Sequence, residues 1–448
     1  MQPTPGNPAS PADPETPPGP SAPPGSTLDG TFAVAIDGVV AVPERPRLRA
    51  LDAFPATIEG QNLICLRDPS GFSDDVIGLP RDLIPLLEAM DGTHTLLDLQ
   101  VAETQRQGRI VLQSELEDLV SALDSHLFLA SAHFEATINK TADDFRQAPV
   151  RAAFHAGRAY PTDPEALHAF LDGFFADRLG PGPIAEPQVR GTVAGVLAPH
   201  IDFTRGGPVY AWAYRALAEA EPADLYVVLG VPHQGLNGPA AATLKSYDTP
   251  FGPLAVDGDF VEGLQRRSGL DLLQEEMSHR VEHSVEFEAV FLQHLFAGRR
   301  DIRFVPILVD FVHRAMVHGQ NPRDENDGGK FVDALAETIS AYPGRVCVIG
   351  GVDLAHVGPQ FGDPLPITSE RLTWLEAEDR EMLAAVGTGD PQAFYESVAK
   401  DGDRRRICGL SPIYTLLSVL GQPGRLLKYG QAPDPNGTVT FTSFVFEN

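Results

Sequence analysis

Four short apolar runs, separated by segments with helical periodicity, constrain the fold of this chain more than any other feature. The runs are TVAGVLA (192–198), DLYVVLG (224–230), IRFVPILV (302–309) and RVCVIGG (345–351). Nearly continuous apolar runs of this length are typical of strands buried on both faces of a parallel sheet. Helical patterns between and around them cover 208–220, 258–267, 283–297 and 330–341. This alternation predicts a layered α/β/α domain with a central, mostly parallel sheet, which we place at 150–448.

The part of the chain before this domain divides into three segments. Residues 1–28 are rich in Pro, Gly, Ser and Ala and nearly lack large apolar side chains, so we expect a disordered tail. Residues 29–135 contain enough periodic apolar sequence for a small α+β domain. Residues 136–150 are interpreted as a linker between the two domains.

The small domain at 29–135 has the pattern of a winged helix. Helical periodicity is followed by a capping box at Thr95 and Asp98, and short strand candidates lie at 109–112 and 127–130. The stretch GLPRDLIPLLEAMDGTHTLLDLQ resembles the PqqD-like peptide-recognition domains. That resemblance implies a protein or peptide partner, and a purely structural role is the alternative. A DNA-reading role is disfavoured because the module lacks a clustered basic recognition helix.

The charge and the cysteine content exclude several classes of partner. The formal net charge of -27 repels polyanions, so nucleic acids and anionic membranes are not expected partners. No apolar run approaches the roughly 18 residues that a membrane span needs, and the N-terminus lacks the pattern of a secretory signal. With three scattered cysteines the chain has no disulfide framework, so we expect a cytoplasmic protein.

Histidines follow three of the four predicted strands. His200 comes after the first, His233 after the second, and His356 with Asp353 after the run that ends at residue 351. In open α/β sheets, ligands bind beyond the carboxyl ends of the strands. We therefore expect these side chains to meet at one edge of the sheet.

Two further segments carry side chains of related chemistry. RVEHSVEFE places His283 and Glu286 three residues apart on one helix face, and RRRICGLSP contains Cys408. Taken singly, a strand-end histidine, a charged helix start and a small buried thiol each have an ordinary structural explanation. Their coincidence favours a metal site or an acid–base site.

The residue types narrow the chemistry of such a site. Neutral imidazoles with a thiolate or a carboxylate suit Fe²⁺, Zn²⁺ or copper. The chain contains no H-E-x-x-H, C-x-x-C or G-x-S-x-G motif and no Gly-rich phosphate loop. The common hydrolase, kinase and dinucleotide-binding classes therefore lack their signatures here.

Six ordered motifs between 150 and 448 resemble the Memo family, whose fold is related to the class III extradiol dioxygenases. The motifs are FHAGRAYPTD, APHIDFTRGGPVYAWAY, LGVPHQG, EHSVEFE, GVDLAHVG and ICGLSPI. A Memo-like domain behind a PqqD-like module also resembles protein B of the AmmeMemoRadiSam system. The resemblance implies a metal site formed by His200, His233 and Cys408. It further implies that the same pocket contains the acid–base histidines and an orienting aspartate: His283, His356 and Asp353.

Two positions depart from the pattern of that family. Gln234 stands where relatives often have a second histidine, and Arg205 stands where an aromatic residue is common. Arg205 either adds a positive charge near the pocket or faces solvent. These departures leave the three proposed ligands in place and bear on the substrate.

Three functions follow from these observations. The first is an iron-binding redox enzyme that acts with O₂ on a small or peptide-borne substrate, with copper or zinc as the other candidate metals. The second is a non-catalytic protein that binds or delivers copper or iron. The third is a zinc hydrolase with Glu286 or Asp353 as general base.

Overall fold

A computed structural model describes residues 42–58, 60–184 and 191–448. The described residues divide into two compact units, with the boundary between Lys140 and Thr141. The tail expected at 1–28 lies outside the described residues. Among the residues described, no helix is long and apolar enough to cross a membrane.

The first unit opens with a three-stranded antiparallel sheet in the order β1-β2-β3. Its elements are β1 (Asp52–Ile58), β2 (Gln61–Arg67), β3 (Val76–Pro80), α1 (Ile84–Ala89), α2 (Leu96–Gln107) and α3 (Gln113–Ser125). The next helix, α4 (Ala132–Gln147), contains the boundary between the two units. Apolar side chains from the sheet and from α1, α2 and α3 form one small core, which includes Leu79, Leu87, Leu99 and Val120. The predicted capping box is confirmed, since Thr95 accepts from the backbone of Asp98 and Asp98 accepts from that of Thr95.

Two strands expected in this region were wrong. Residues 109–112 form no strand, because Val111 donates its N–H to the Thr104 hydroxyl and its carbonyl accepts from Gln100. Residues 127–130 make one isolated bridge, between Leu48 and Leu129, rather than a strand. The linker expected at 136–150 stays a prediction; this segment is helical as far as Gln147 and contains the boundary between the two units.

The second unit is built on an eight-stranded sheet in the order β11-β13-β5-β10-β6-β9-β7, with β12 paired to β13. Its strands are β4 (Val150–Arg151), β5 (Val193–Ala198), β6 (Leu225–Gly230), β7 (Ala240–Ala242), β8 (Ser246–Tyr247), β9 (Arg303–Val309), β10 (Val346–Gly351), β11 (Asp353–Val357), β12 (Arg425–Ala432) and β13 (Thr438–Glu447). The four central strands β5, β10, β6 and β9 are parallel, whereas β7, β11, β12 and β13 pair antiparallel. All four strands that the apolar runs predicted are confirmed.

Helices cover both faces of this sheet. They are α5 (Pro164–Ala176), α6 (Phe203–Glu219), α7 (Gly258–Ser268), α8 (His283–Phe296), α9 (Val312–His318), α10 (Gly328–Ala341), α11 (Ser369–Thr388), α12 (Pro391–Ala399) and α13 (Leu410–Leu420). Successive glycines at the end of β10 show the two layers. A Cβ on Gly350 would lie 3.6 Å from Leu416 of α13, and a Cβ on Gly351 would lie 3.1 Å from Glu288 of α8. Because neighbouring residues of a strand face opposite ways, α13 and α8 lie on opposite faces. The α/β/α prediction is confirmed.

Candidate metal centre

The candidate centre lies at the carboxyl edge of the three adjacent strands β5, β10 and β6. His200 follows the end of β5 by two residues, and His233 follows the end of β6 by three. Between these strands β10 ends at Gly351, and Asp353 begins β11. Parallel pairing of β10 with both neighbours brings the three strand ends together, as the sequence predicted.

Helix α8 begins at this edge and brings His283 to it. The Ser284 hydroxyl accepts from the Val231 N–H at 3.0 Å and donates to the Val231 carbonyl at 3.0 Å. This close approach requires a glycine at the end of β6, since a Cβ on Gly230 would lie 2.6 Å from the Ser284 hydroxyl oxygen. Ser284 therefore attaches the first turn of α8 directly to the loop that carries His233.

Three histidines meet at this point. One ligand atom from each of His200, His233 and His283 lies within 4.8 Å of the other two. The rings of His233 and His283 are nearly parallel with centroids 4.5 Å apart, and the His200 ring lies 5.0 Å from His233 and 5.3 Å from His283. Only 2% of the His200 side chain is exposed, against 39% for His233 and 30% for His283. The cluster is therefore closed on the His200 side and accessible on the other.

Hydrogen bonds fix the orientation of His200. Its Nδ1 lies 2.9 Å from the Gly351 carbonyl oxygen, and since a carbonyl only accepts, Nδ1 carries the hydrogen. Its backbone N–H donates to Asp353 at 3.1 Å. The lone pair of His200 is consequently on Nε2, the nitrogen that a metal would use.

Glu282 performs the corresponding task for His233. Its carboxylate accepts from the His233 backbone N–H at 3.0 Å and lies 2.9 Å from Nδ1 of the same residue. It also accepts from the Ser284 N–H at 2.9 Å, which caps α8. A carboxylate behind a histidine fixes the tautomer and raises the basicity of the distal nitrogen.

The surroundings keep two of these imidazoles neutral. Burial lowers the pKa of His200 to about 3 and holds the pKa of His283 well below 6.5. Burial also acts to lower the pKa of His233, but the charge and hydrogen bond of Glu282 outweigh it, so the pKa of His233 is raised. Neutral imidazoles are the form that binds metals.

Cys408 lies next to His200 but outside the three-histidine group. Its Sγ is 3.4 Å from Nε2 of His200. The loop that carries it is attached to β11, because Cys408 and Gly409 donate their N–H groups to the carbonyls of Leu354 and Asp353. Burial raises the pKa of the Cys408 thiol well above its usual value. The assignment of Cys408 as a ligand stays a prediction.

Asp353 and His356 flank the same group from β11. Asp353 accepts from the His200 N–H, and its second oxygen is 3.7 Å from Nε2 of His200. Burial raises the pKa of Asp353 to about 6 and lowers the pKa of His356. His356 is held by its backbone, which donates to the Arg405 carbonyl, and its ring lies against Phe361. The acid–base roles of His283 and His356 and the orienting role of Asp353 stay predictions.

The structure argues against two roles that the sequence suggested, Glu286 as a general base and Arg205 as a charge near the pocket. Glu286 is fully buried and bound by Arg151, by the Tyr160 hydroxyl and by the His155 N–H at 2.9 Å, so it is an internal ion-pair partner rather than a free general base. Arg205 is half exposed and pairs with Asp202, the residue that caps α6. Of the two positions considered for Arg205, the solvent-facing one is observed.

Sequence reasoning missed the role of Glu282. We interpreted the acidic residues around His283 as a favourable helix start, which is correct for the cap but does not reveal the contact with His233. The available signal was the residue type, because glutamate is not among the side chains that preferentially cap helices.

Comparison with known proteins identifies the family. A family model described as Memo-like protein matches residues 151–441. The chain belongs to the Memo family. A MEMO1 family protein of Aquifex aeolicus is 27% identical over 409 residues, which covers 90% of this chain and 100% of the relative. A MEMO1 family protein of Thermus thermophilus is 30% identical over 342 residues, covering 76% of this chain and 94% of the relative.

A third relative is shorter than this chain and is covered almost completely by its match. The MEMO1 family protein of Methanopyrus kandleri is 29% identical over 302 residues, which is 65% of this chain and 96% of that protein. That match takes in nearly the whole of the relative, whereas the Aquifex match is much longer than the 151–441 segment of this chain. The PqqD-like character of the first unit stays a prediction.

Proposed function

We propose that this Memo-family protein binds ferrous iron at the histidine cluster and uses it in an O₂-dependent reaction on a small or peptide-borne substrate. The observation that carries the proposal is the convergence of ligand atoms from His200, His233 and His283 within 4.8 Å of one another. Three ligand groups at one end of a sheet, two of them partly exposed, leave room for exogenous molecules.

The donor chemistry favours a first-row transition metal. Imidazole nitrogens suit iron, copper and zinc, whereas Mg²⁺ and Ca²⁺ prefer oxygen ligands. A thiolate from Cys408, 3.4 Å from His200, would add a negative charge and a soft ligand. Metal binding would then displace the thiol proton, since the ligand is the thiolate. Copper and zinc remain the other candidate metals.

Residues around the cluster are suited to orient the ligands and to transfer a proton. Held by these residues, ferrous iron would supply the activation of O₂. Gly351 and Glu282 would orient two of the ligands, and His356 would hold or move a proton at an imidazole nitrogen, as would His283 where Cys408 is the third ligand. The zinc hydrolase alternative loses one of its two candidate general bases, because Glu286 is bound to Arg151.

Metal analysis and oxygen consumption test the proposal together. Protein purified without oxygen should carry iron in a one-to-one ratio, and O₂ uptake should require that iron and a reductant or substrate. The variant His200→Ala should lose both the iron and the uptake. Stoichiometric copper or iron without O₂ uptake under any condition would overturn the enzymatic proposal in favour of sequestration or delivery. A partner for the first unit stays a prediction.

A further inference from the structure

Glu282 is a buried carboxylate that lies against two histidines of the cluster. Its side chain is 5% exposed, and within the described residues its carboxylate lies 2.9 Å from His233 and 3.4 Å from His283, of which only His233 has a raised pKa. Its pKa is held well below the usual value, although burial acts in the opposite direction, because His233 lies beside it. A buried negative charge needs compensation, and here compensation comes from groups that are themselves candidate metal ligands.

The next turn of the same helix shows the ordinary arrangement for comparison. Glu286 is equally buried, and its charge is balanced by the guanidinium of Arg151. Arg151 also reaches Glu282, but it donates to the backbone carbonyl at 2.9 Å and not to the carboxylate. Two buried glutamates four residues apart thus have different partners: the charge of Glu286 is balanced by a permanent cation, whereas the charged group beside Glu282 is the titratable imidazole of His233.

Helix capping alone does not explain a glutamate at this position. Among the α-helices of the described segments, the other side-chain caps are the shorter residues Thr, Ser and Asp, at Thr95, Ser131, Asp163, Asp202, Asp257, Thr368 and Asp390. Short side chains fit a cap better than glutamate does. The extra methylene of Glu282 coincides with its second contact, the one to Nδ1 of His233.

We propose that Glu282 is the positioning residue of the metal centre: it holds His233 with Nε2 directed to the metal and balances the charge of the bound cation. This inference rests on the proposed metal site but not on any activity. It assigns Glu282 two separable tasks, the cap of α8 through Ser284 and the orientation of the ligand through His233.

Three variants and one control separate the two tasks. Glu282→Asp retains the charge and a preferred capping side chain but is one methylene too short to keep the His233 contact. Glu282→Gln retains the length but removes the charge, and Glu282→Ala removes both. Asp202→Asn is the matched control, because Asp202 caps α6 and contacts Thr204 and Arg205 rather than the histidine cluster.

Co²⁺ is the probe, because its binding affinity and its visible absorption spectrum can be measured without any enzymatic activity. We expect Glu282→Asp and Glu282→Gln to bind Co²⁺ about 10–100-fold more weakly than wild type. The thermal midpoint should change little in Glu282→Asp. In ¹⁵N-histidine spectra of the metal-free protein, recorded at a pH where His233 is neutral, His233 should lose its single Nδ1–H tautomer in Glu282→Ala, which removes the acceptor. Asp202→Asn should leave the Co²⁺ affinity and the His233 signal unchanged.

The outcomes distinguish this inference from the proposed function. Co²⁺ affinity within twofold of wild type for Glu282→Asp, with the His233 tautomer retained in Glu282→Ala, would overturn the positioning role while leaving the metal site intact. Wild-type protein that binds no Co²⁺, or a His200→Ala variant that binds it equally well, would overturn the metal site itself. If Glu282→Gln or Glu282→Ala does not fold, Glu282→Asp alone decides.

Discussion

The carbonyl oxygen of Gly351 accepts a hydrogen bond from Nδ1 of His200 at 2.9 Å, and this contact determines which nitrogen of that imidazole faces the cluster. The last residue of β10 thereby orients a side chain that follows the neighbouring strand β5. The geometry of the candidate centre is thus a property of the sheet edge, where the strand ends, the start of α8 and the Cys408 loop meet.

His200→Ala should abolish tight metal binding. Removing a ligand should cost more than the about 10–100-fold that is typical of removing a supporting residue. Isothermal titration of the metal-free protein measures the effect. His126→Ala is a suitable control, since that histidine lies in the first unit and pairs with Asp75. Equal affinities for the two variants would remove His200 from the ligand set.

Cys408→Ala and His283→Ala together should identify the third ligand. Thiolate coordination gives Co²⁺ an intense ultraviolet charge-transfer band, which we expect in wild type and in His283→Ala but not in Cys408→Ala. Unchanged spectra and affinity in Cys408→Ala, together with weak binding in His283→Ala, would assign a three-histidine site and refute the thiolate ligand.

Gly409→Ala should displace the loop that carries Cys408. A Cβ at this position would lie 2.7 Å from the Asp353 carbonyl oxygen and 2.7 Å from Cβ of Val352, closer than unbonded atoms approach. We expect a destabilisation of about 1–3 kcal/mol, measured by chemical denaturation, and weaker metal binding. Gly173→Ala is the control, because a Cβ there meets nothing within 4 Å. A Gly409→Ala protein with wild-type stability and affinity would contradict the packing argument.

Glu286→Gln should strongly destabilise the second unit. The substitution leaves the fully buried guanidinium of Arg151 without its counter-charge, and breaking one side of a buried pair costs about 3–5 kcal/mol. Denaturant titration of the single variants Glu286→Gln and Arg151→Met and of the double variant checks this. The double variant should lose less than the two single losses combined. A loss below about 1 kcal/mol in Glu286→Gln would show that the pair is dispensable.

His279 should make the protein less stable in mild acid. Nδ1 lies 2.7 Å from the Tyr247 hydroxyl and Nε2 lies 3.1 Å from the Ala241 carbonyl, inside the core. Burial lowers the pKa of His279 from 6.5 to about 4. As the pH falls through 6.5 the unfolded chain takes up the proton first, so stability is lost between about pH 6.5 and 4.

Protonation of His279 should lower the free energy of unfolding by about 3 kcal/mol between pH 7 and pH 4, since one pKa unit corresponds to about 1.36 kcal/mol. Denaturant unfolding of metal-free wild type and His279→Gln at both pH values measures it. The difference in unfolding free energy between the two proteins should narrow by that amount in acid. A difference that does not change with pH would refute the assignment.

Much of the second unit could be derived from the sequence because its strands are buried on both faces. A run such as Leu225–Gly230 is apolar throughout, and all six residues are buried. Parallel strands place their carboxyl ends at one edge, so the sequence alone predicts that His200 and His233 meet. Cys408 was brought in by family resemblance, and its Sγ does lie beside His200.

The first unit was harder because its strands are short and half exposed. In Asp52–Ile58 no residue is fully buried, and Pro55 interrupts the pattern, which an edge strand tolerates. Short apolar stretches at 109–112 and 127–130 resemble strands locally, but neither is one. The backbone of Val111 bonds to side chains of α2, and 127–130 makes a single bridge, from Leu129 to Leu48.

What the sequence determined by itself is the set of reactive side chains and the edge of the sheet where they gather, because period and strand direction are local properties. What only the tertiary structure decided is how each group is held. Glu282 and His233 are 49 residues apart, and their contact exists because Ser284 fastens α8 to the end of β6. Charge balance and ligand orientation depend on such distant contacts, and no local pattern encodes them.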